Sequence, residues 1–285
     1  MSVKHPIIAV TGSSGAGTTT VMNSFQHIFR REKIKAQIIE GDAFHRYDRK
    51  GMREAMQRDR DFSHFGPDAN LLGDLETLFR SYGEAGSGRT RKYIHDDAEA
   101  QQHGQASGTF TEWRDVDAGT DLLFYEGLHG AYADAKIDLA KHCDLLIGVV
   151  PIINLEWIQK LHRDKRERGY SQEAVVDTIL RRMPDYVNFM CPQFSRTHVN
   201  FQRVPTVDTS NPFIARDIPS PDESMVIIRF ADPHGIDFPY LISMLNNSWM
   251  TRPNSIIVPG GKMGLAMQLI FTPMILRLMD LKKRA

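Results

Sequence analysis

Residues 12–20 read GSSGAGTTT, and this stretch decides the fold. Gly12 and Gly17 stand at the spacing of a phosphate-binding loop, G-x-x-x-x-G-[KT]-[ST], with Thr18 where a lysine is normally found. Just before it, residues 5–10 (HPIIAV) form a short apolar, β-branched run. Just after it, residues 18–31 carry Val21, Phe25, Ile28 and Phe29 at helical spacing. Strand, glycine-rich turn and helix is the context such a loop requires. Gly12, Gly15 and Gly17 let the N–H groups of a nest built from Gly12, Ser13, Ser14, Gly15, Ala16, Gly17, Thr18, Thr19 and Thr20 aim inward. The helix that follows adds its positive end. Thr19 takes the motif's Ser/Thr position, where a hydroxyl ligates Mg²⁺. The alternative is a Gly-Ser turn that merely joins a strand to a helix.

Working outward, residues 35–42 (KAQIIEGD), 121–127 (DLLFYEG) and 143–151 (CDLLIGVVP) read as further strands, and a helix is expected over 155–168. Apolar strands alternating with helices indicate a parallel sheet covered on both faces. The Gly- and Ser-rich segment 83–120 reads as surface loops. Beyond about residue 205 the strands 225–230 and 254–260 follow without long helices between them, and 262–280 is a closing helix that Pro273 could kink. The expected fold is α/β: a mixed, mostly parallel sheet flanked by helices, with an antiparallel C-terminal extension. A single domain over 1–285 is expected, its core at about 1–205 and the extension at about 206–285.

Thirty-five basic residues balance thirty-five acidic ones, so no global field gathers nucleic acid or anionic membrane, and affinity for anions must be local. The two cysteines, Cys143 and Cys191, make no disulfide framework and no paired metal-ligand spacing. No apolar run is expected to reach the roughly 20 residues of a membrane span, and the N-terminus leads into a strand rather than a signal peptide. A cytoplasmic setting is expected.

Four further features could carry chemistry. Glu126 in FYEGLHG ends an apolar strand, where ligands gather in open α/β sheets, and a carboxylate there can hold Mg²⁺; the alternative is a turn-stabilising acid. Asp42 in EGDAFHR also follows a strand and could accept a proton from a substrate hydroxyl, or cap a helix starting at Ala43. His45, Arg46 and Arg49 follow it and could hold an anion beside that base. Finally, the expected helix over 155–168 puts Lys160, Asp164 and Arg168 on one face, with Arg163 about 60° away. Gly169 suits the helix end, Ser171 starts the next helix, and Arg181 and Arg182 fall in its last turn with Pro184 just beyond. Between residues 160 and 182, seven Lys and Arg face four Asp and Glu in a chain of zero net charge. A basic helical hairpin over a phosphate site is how a lid would be built, although exposed i, i+4 pairs are the plainer explanation.

Taken together, GSSGAGTTT, EGDAFHRYDR, YIHDDAEA, FYEGLHG, VPIINLEWIQKLHRDKRERGY, VDTSNPFIAR and IRFADPHGIDFPYL resemble phosphoribulokinases of the bacterial type over essentially the whole chain, and the lysine-free loop is itself a mark of that group. The resemblance implies a P-loop fold like that of nucleoside monophosphate kinases, and ATP-dependent phosphorylation of the C1 hydroxyl of D-ribulose 5-phosphate to ribulose 1,5-bisphosphate in the Calvin cycle. It implies Asp42 as catalytic base, Glu126 and Asp164 as metal carboxylates, and His45, Arg49 and Arg168 on the sugar-phosphate side. Lys160 and Arg163 match lid residues facing the ATP phosphates. Arg181 and Arg182 match a basic pair tied to nucleotide or substrate handling, and His95 in YIHDD matches a position near the substrate. Octamers activated by NADH and inhibited by AMP are also implied, with Arg229 and Arg252 as candidate effector contacts. The loop has no cysteine, so thiol control is not expected. The stretch MREAMQRDRDFSHFGPDAN looks several residues shorter than in close relatives. The alternatives are a uridine- or pantothenate-kinase-like enzyme, and a regulatory protein that binds ATP without turnover.

Overall fold

The computed structural model describes residues 4–13, 18–150 and 152–284, and the side chains of Thr18, Thr19, Glu167 and Arg168 are outside that description. The expected strand–turn–helix opens the chain as β1 (Ile7–Gly12) and α1 (Thr18–Arg31), followed by β2 (Ala36–Glu40). Residues 14–17 of the glycine-rich loop lie outside the described residues.

The next elements are a 3₁₀ turn at Gly41–Phe44, α2 (Arg49–Arg58) and α3 (Leu72–Ala85). The segment 83–120 is more ordered than expected. It holds an antiparallel pair of two-residue strands, β3 (Arg89–Thr90) with β4 (Arg114–Asp115), and between them α4 (Asp97–His103), capped by the Asp96 side chain on Glu99 N and by Gly104 at positive φ. Then come β5 (Leu122–Gly127), β6 (Leu145–Val150), α5 (Ile153–Arg168) and α6 (Gln172–Arg181). Pro184 does not end the helical path. It sits in the first turn of α7 (Met183–Asp185), where its missing N–H costs nothing, and helical turns continue through Tyr186–Met190 and Cys191–Ser195.

β7 (Val199–Pro205) was not foreseen, because VNFQRVP interleaves Asn, Gln and Arg with its apolar residues. The remaining elements are β8 (Ser224–Phe230), α8 (Phe238–Met244), the short β9 (Trp249–Arg252), β10 (Ser255–Pro259) and α9 (Met263–Arg284).

The strands form one eight-stranded sheet in the order β2-β5-β1-β6-β7-β8-β10-β9. The first five run parallel, and β8, β10 and β9 extend the sheet antiparallel. The alternation of side chains along each strand divides the core in two. Ile8, Val10, Phe124 and Ile147 pack against Phe25 of α1 and Phe271 of α9, whose rings lie 5.0 Å apart. Ile7, Ala9, Leu123 and Tyr125 pack on the other face against Leu75, Phe79 and Tyr82 of α3. Both faces of the parallel part are covered, as continuous apolar strands demand.

Contrary to the expectation of no membrane-length run, Gly260–Arg284 is long and apolar enough to cross a bilayer by length and composition. In this fold, however, Ala266, Met267, Ile270, Phe271 and Ile275 of α9 are buried on the sheet, as in a core helix.

Candidate active site

Three parallel strands, β1, β5 and β2, end side by side, and their C-terminal ends build the site. Glu126 is in register with Val10 on one side and Glu40 on the other. Beyond the strand ends the backbones of β2 and β5 nearly touch. A Cβ on Gly41 would lie 2.8 Å from Gly127 Cα, and one on Gly127 would lie 2.7 Å from Gly41 Cα, so neither position admits a side chain. This close approach brings the Gly41–Phe44 turn, and Asp42 within it, up against the Glu126 loop.

Asp42 does not cap a helix as one reading allowed; Glu40 holds the N-cap position, without a side-chain cap bond. The Asp42 carboxylate instead meets two imidazoles, His45 Nε2 at 3.0 Å and His95 Nε2 at 3.7 Å, while 40% of its side chain stays open to solvent. Burial by itself would raise the Asp42 pKa, but the His45 hydrogen bond and the charges of His45 and His95 outweigh it and lower it to about 2. Burial opposes charge on His45 too, yet its bonds to Asp42 and Asn70 raise its pKa above the ordinary value.

Behind His45 a buried polar network runs to β1. His45 Nδ1 meets Asn70 Oδ1 at 2.8 Å, and Asn70 Nδ2 donates to the His64 and Gly66 carbonyls at 2.9 and 2.8 Å. His129 Nε2 lies 3.3 Å from the same His64 carbonyl, and Gln193 bridges the Leu128 carbonyl to Thr11 Oγ1 of β1 at 3.0 Å each. Burial lowers the His129 pKa to about 4, and burial with the His45 and Arg182 charges pushes His64 well below its ordinary value. Two rings held toward the neutral form thus back one held toward the cation.

The rim is held by arginines. Arg91 donates to the Ala43 and His45 carbonyls at 2.8 and 2.7 Å and stacks over Phe110, with 3.6 Å from its guanidinium carbon to the ring centroid. Arg49 opens α2, after the Asp48 cap, and reaches the His95 carbonyl at 2.8 Å.

The second side of the site is the α5–α6 hairpin. Gly169 ends α5 in the left-handed region at φ 67°, and Ser171 caps α6 on Ala174 N. The face read from the sequence as exposed i, i+4 pairs is largely covered here. Asp164 is 3% exposed, Lys160 is bonded to it, and Arg163 Nε lies 3.2 Å from its other oxygen. Burial and the nearby Arg182 charge bring the Lys160 pKa down to about 8 even though Asp164 opposes the shift. One turn earlier, Glu156 is buried beside Ser13, and its pKa is raised by that burial.

Arg181 is spent on structure, donating to the Arg60 and Phe62 carbonyls at 2.5 and 3.2 Å, and Arg182 lies over Phe65 at 6.0 Å. The Arg168, Thr18 and Thr19 side chains, and Ser14, Gly15, Ala16 and Gly17, fall outside the described residues, while Gly12 ends β1, Ser13 follows it buried, and Thr20 is exposed in α1. Arg229 and Arg252 are far along the sheet, on β8 and β9, each in register with Ser255 of β10.

Asn70, His64, Gln193 and Glu40 were not singled out from the sequence, because no motif marks them and their contacts join distant segments. His129 lies inside the quoted FYEGLHG, two residues past the strand, and its position in that loop was the available signal. Among the described residues no group of three or more His, Cys, Asp or Glu is placed to hold a metal unaided.

With strand-end carboxylates, a phosphate-loop context and a basic hairpin assembled, the relatives fit the geometry. Residues 7–210 match the model of the Phosphoribulokinase / Uridine kinase family. The chain is 64% identical over 290 residues to the chromosomal phosphoribulokinase of Cupriavidus necator, covering 100% of this chain and 99% of that protein. It is 64% identical over 287 residues to the phosphoribulokinase of Nitrobacter vulgaris, covering 99% of each. The structure superposes on phosphoribulokinase from Rhodobacter spheroides with a TM-score of 0.92 at 58% identity, covering 99% of this chain and 100% of that one. The chain belongs to the phosphoribulokinase / uridine kinase family.

Proposed function

We propose that Asp42 is the general base of an ATP-dependent transfer onto the C1 hydroxyl of D-ribulose 5-phosphate, giving ribulose 1,5-bisphosphate. The observation that carries this role is the carboxylate itself: ionised, held on one side by His45, and open on the other. A base in that state accepts the hydroxyl proton as the oxygen attacks phosphorus, and it needs only hydrogen-bond reach of the hydroxyl. His45, Arg49 and His95 ring the same opening and suit a substrate that already bears a phosphate.

On the other side the Gly12–Thr20 loop receives the ATP phosphates, and the α5–α6 hairpin acts as a lid. Lys160 and Arg163 there supply the positive charge that Thr18 does not. In the present arrangement both are bonded to Asp164, so closure has to redirect at least one of them toward the transferring group. Arg168 works from the end of the same helix, and Arg181 and Arg182 brace the hairpin against the 58–66 loop.

The donor set at the strand ends consists of oxygens, which suit Mg²⁺. Glu126 and the Thr19 hydroxyl would hold it together with ATP, with Asp164 nearby on the lid. Bound there, the ion would neutralise phosphate charge.

The finer biology follows the same reading: a cytoplasmic enzyme, one domain over 1–285, activated by NADH, inhibited by AMP and assembled as an octamer. Arg229 and Arg252 are the candidate effector contacts, supported by their exposed positions on either side of Ser255 across three strands. The edge strand β9 with exposed Trp249, together with exposed Tyr240 and Met244 on α8, supports self-association.

A coupled ADP-release assay with ribulose 5-phosphate against uridine, with and without NADH, tests the reading. Release with ribulose 5-phosphate and not uridine is expected. No release with ribulose 5-phosphate under either condition overturns it.

A further inference from the structure

Asn70 controls more than the shape of its loop. Its amide nitrogen has two hydrogens, and two main-chain carbonyls, of His64 at 2.9 Å and of Gly66 at 2.8 Å, stand ready to accept them. Turning the amide over would set its oxygen against both of those acceptors. The atom 2.8 Å from His45 Nδ1 is therefore the Asn70 oxygen, and an oxygen there requires a hydrogen on Nδ1. His129 Nε2 lies 3.1 Å from the same Asn70 nitrogen and 3.3 Å from the His64 carbonyl; without a hydrogen it is a third acceptor on that side, and with one it donates to the carbonyl, so the two main-chain acceptors fix the amide in either case.

On the far side of the ring, His45 Nε2 lies 3.0 Å from Asp42. With Nδ1 already carrying its hydrogen, Nε2 can donate to the carboxylate only when the ring holds a second proton. We propose that Asn70 is a positioning residue that forbids the neutral Nε2–H form of His45, so that His45 grips Asp42 only as a cation. This rests on Asp42 being the base, and it adds a reason for the half-open carboxylate: the imidazolium holds one oxygen and presents the other, on the His95 side, to the substrate hydroxyl.

When His45 loses its second proton, an Nε2 lone pair faces the carboxylate and the grip becomes repulsion. Among the described residues, the remaining neighbours of His45 do not supply an alternative donor to Asp42 at that oxygen. His64 lies against the ring at 4.3 Å between centroids, Tyr93 meets it edge-on at 6.4 Å, and Arg91 is engaged with the His45 and Ala43 carbonyls. His95 reaches the other oxygen of Asp42, at 3.7 Å.

The test is the ¹⁵N spectrum of the histidine rings in the full chain, followed through the titration of His45. The expected result above its pKa is a neutral ring with hydrogen on Nδ1. A ring with hydrogen on Nε2 overturns the proposal, whatever Asp42 does, and the wild-type chain alone decides this. Two variants extend the test: Asn70→Leu and Asn70→Asp both lose the donors to His64 and Gly66, but only Asn70→Asp keeps an oxygen beside Nδ1. In Asn70→Leu we expect the Nε2–H form, a kcat about tenfold lower, and loss of the alkaline fall in kcat/KM that belongs to His45. In Asn70→Asp the Nδ1–H form is retained. Identical His45 tautomers in the two variants overturn the proposal. Normal turnover in Asp42→Asn would sink the base assignment while leaving the spectra of His45 a valid test of Asn70.

Discussion

Around Asp42 a chain of side chains is tied to neighbours that the sheet or a loop also fixes, from His45 through Asn70 and His129 to Gln193 and Thr11 of β1. On α5, by contrast, two cations converge on a single carboxylate of their own helix. The first region is organised before any ligand arrives. The second holds its charge paired with Asp164, and on the proposed reading releases it toward phosphate. Under the proposed roles the contrast teaches a division of labour: orientation of the base comes from the scaffold, and electrostatic stabilisation comes from a part that has to rearrange.

The largest effect should come from the scaffold side. Asp42→Ala should lower turnover about 10³-fold, the range of a lost general base, with ATP binding unchanged. Single-turnover assays with a separate nucleotide titration check it, and near-normal turnover would break the contrast at its root.

The same region should also set the acid limit of stability. His129 is buried neutral, with its pKa at about 4 against 6.5 in the unfolded chain. Between those values the unfolded state binds the extra proton, so stability rises with pH across that window and is lost as pH falls from 6.5 toward 4. The loss from this ring is on the order of 3 kcal/mol, and His64 adds to it in the same direction. His45 acts oppositely, contributing stability that is full below 6.5 and lost as pH rises through its raised pKa. Denaturant midpoints from pH 4 to 8 should fall steeply on the acid side, and His129→Asn should flatten that slope.

On the lid side, Lys160→Met should damage turnover more than folding. A loss of about 10² in kcat is expected for a missing phosphate-facing cation, against about 1–2 kcal/mol in stability, because Arg163 still partners Asp164. A variant that unfolds but turns over normally when stabilised would make Lys160 a structural residue. The smallest effect belongs far along the sheet: Arg229→Ala and Arg252→Ala are exposed changes, expected within about 0.5 kcal/mol in stability with basal activity unchanged. Only a response to NADH should distinguish them.

The parts of this molecule that a sequence can reveal are those with a period or a punctuation mark. Apolar runs announced β1, β5 and β6, while Gly169 and Ser171 marked the break between α5 and α6, because a cap is local chemistry. β7 escaped because its Asn, Gln and Arg fit a half-covered strand only once a neighbour exists to pair with. Pro184 stands just beyond the end of α6, as expected, but what the proline could not show is that it also opens α7. The same limit applies at the site. Asp42 and His45 follow a strand end and Glu126 stands at one, which a reader of sequence can find. Asn70 sits 25 residues from the ring it orients, and Gln193 stands 182 from the threonine it bridges. Such contacts depend on topology, which no short motif encodes. The burial of Asp164 was invisible for a related reason, since i, i+4 spacing looks the same on a wet face and a covered one.

The division of labour is tested most directly by amide hydrogen exchange with and without Mg²⁺ and a non-hydrolysable ATP analogue. The account predicts that nucleotide changes protection across α5 and α6, while residues 41–46 and 64–71 around Asp42, His45 and Asn70 exchange as before. Unchanged exchange in α5 and α6, or a change of equal size around Asp42, would contradict it.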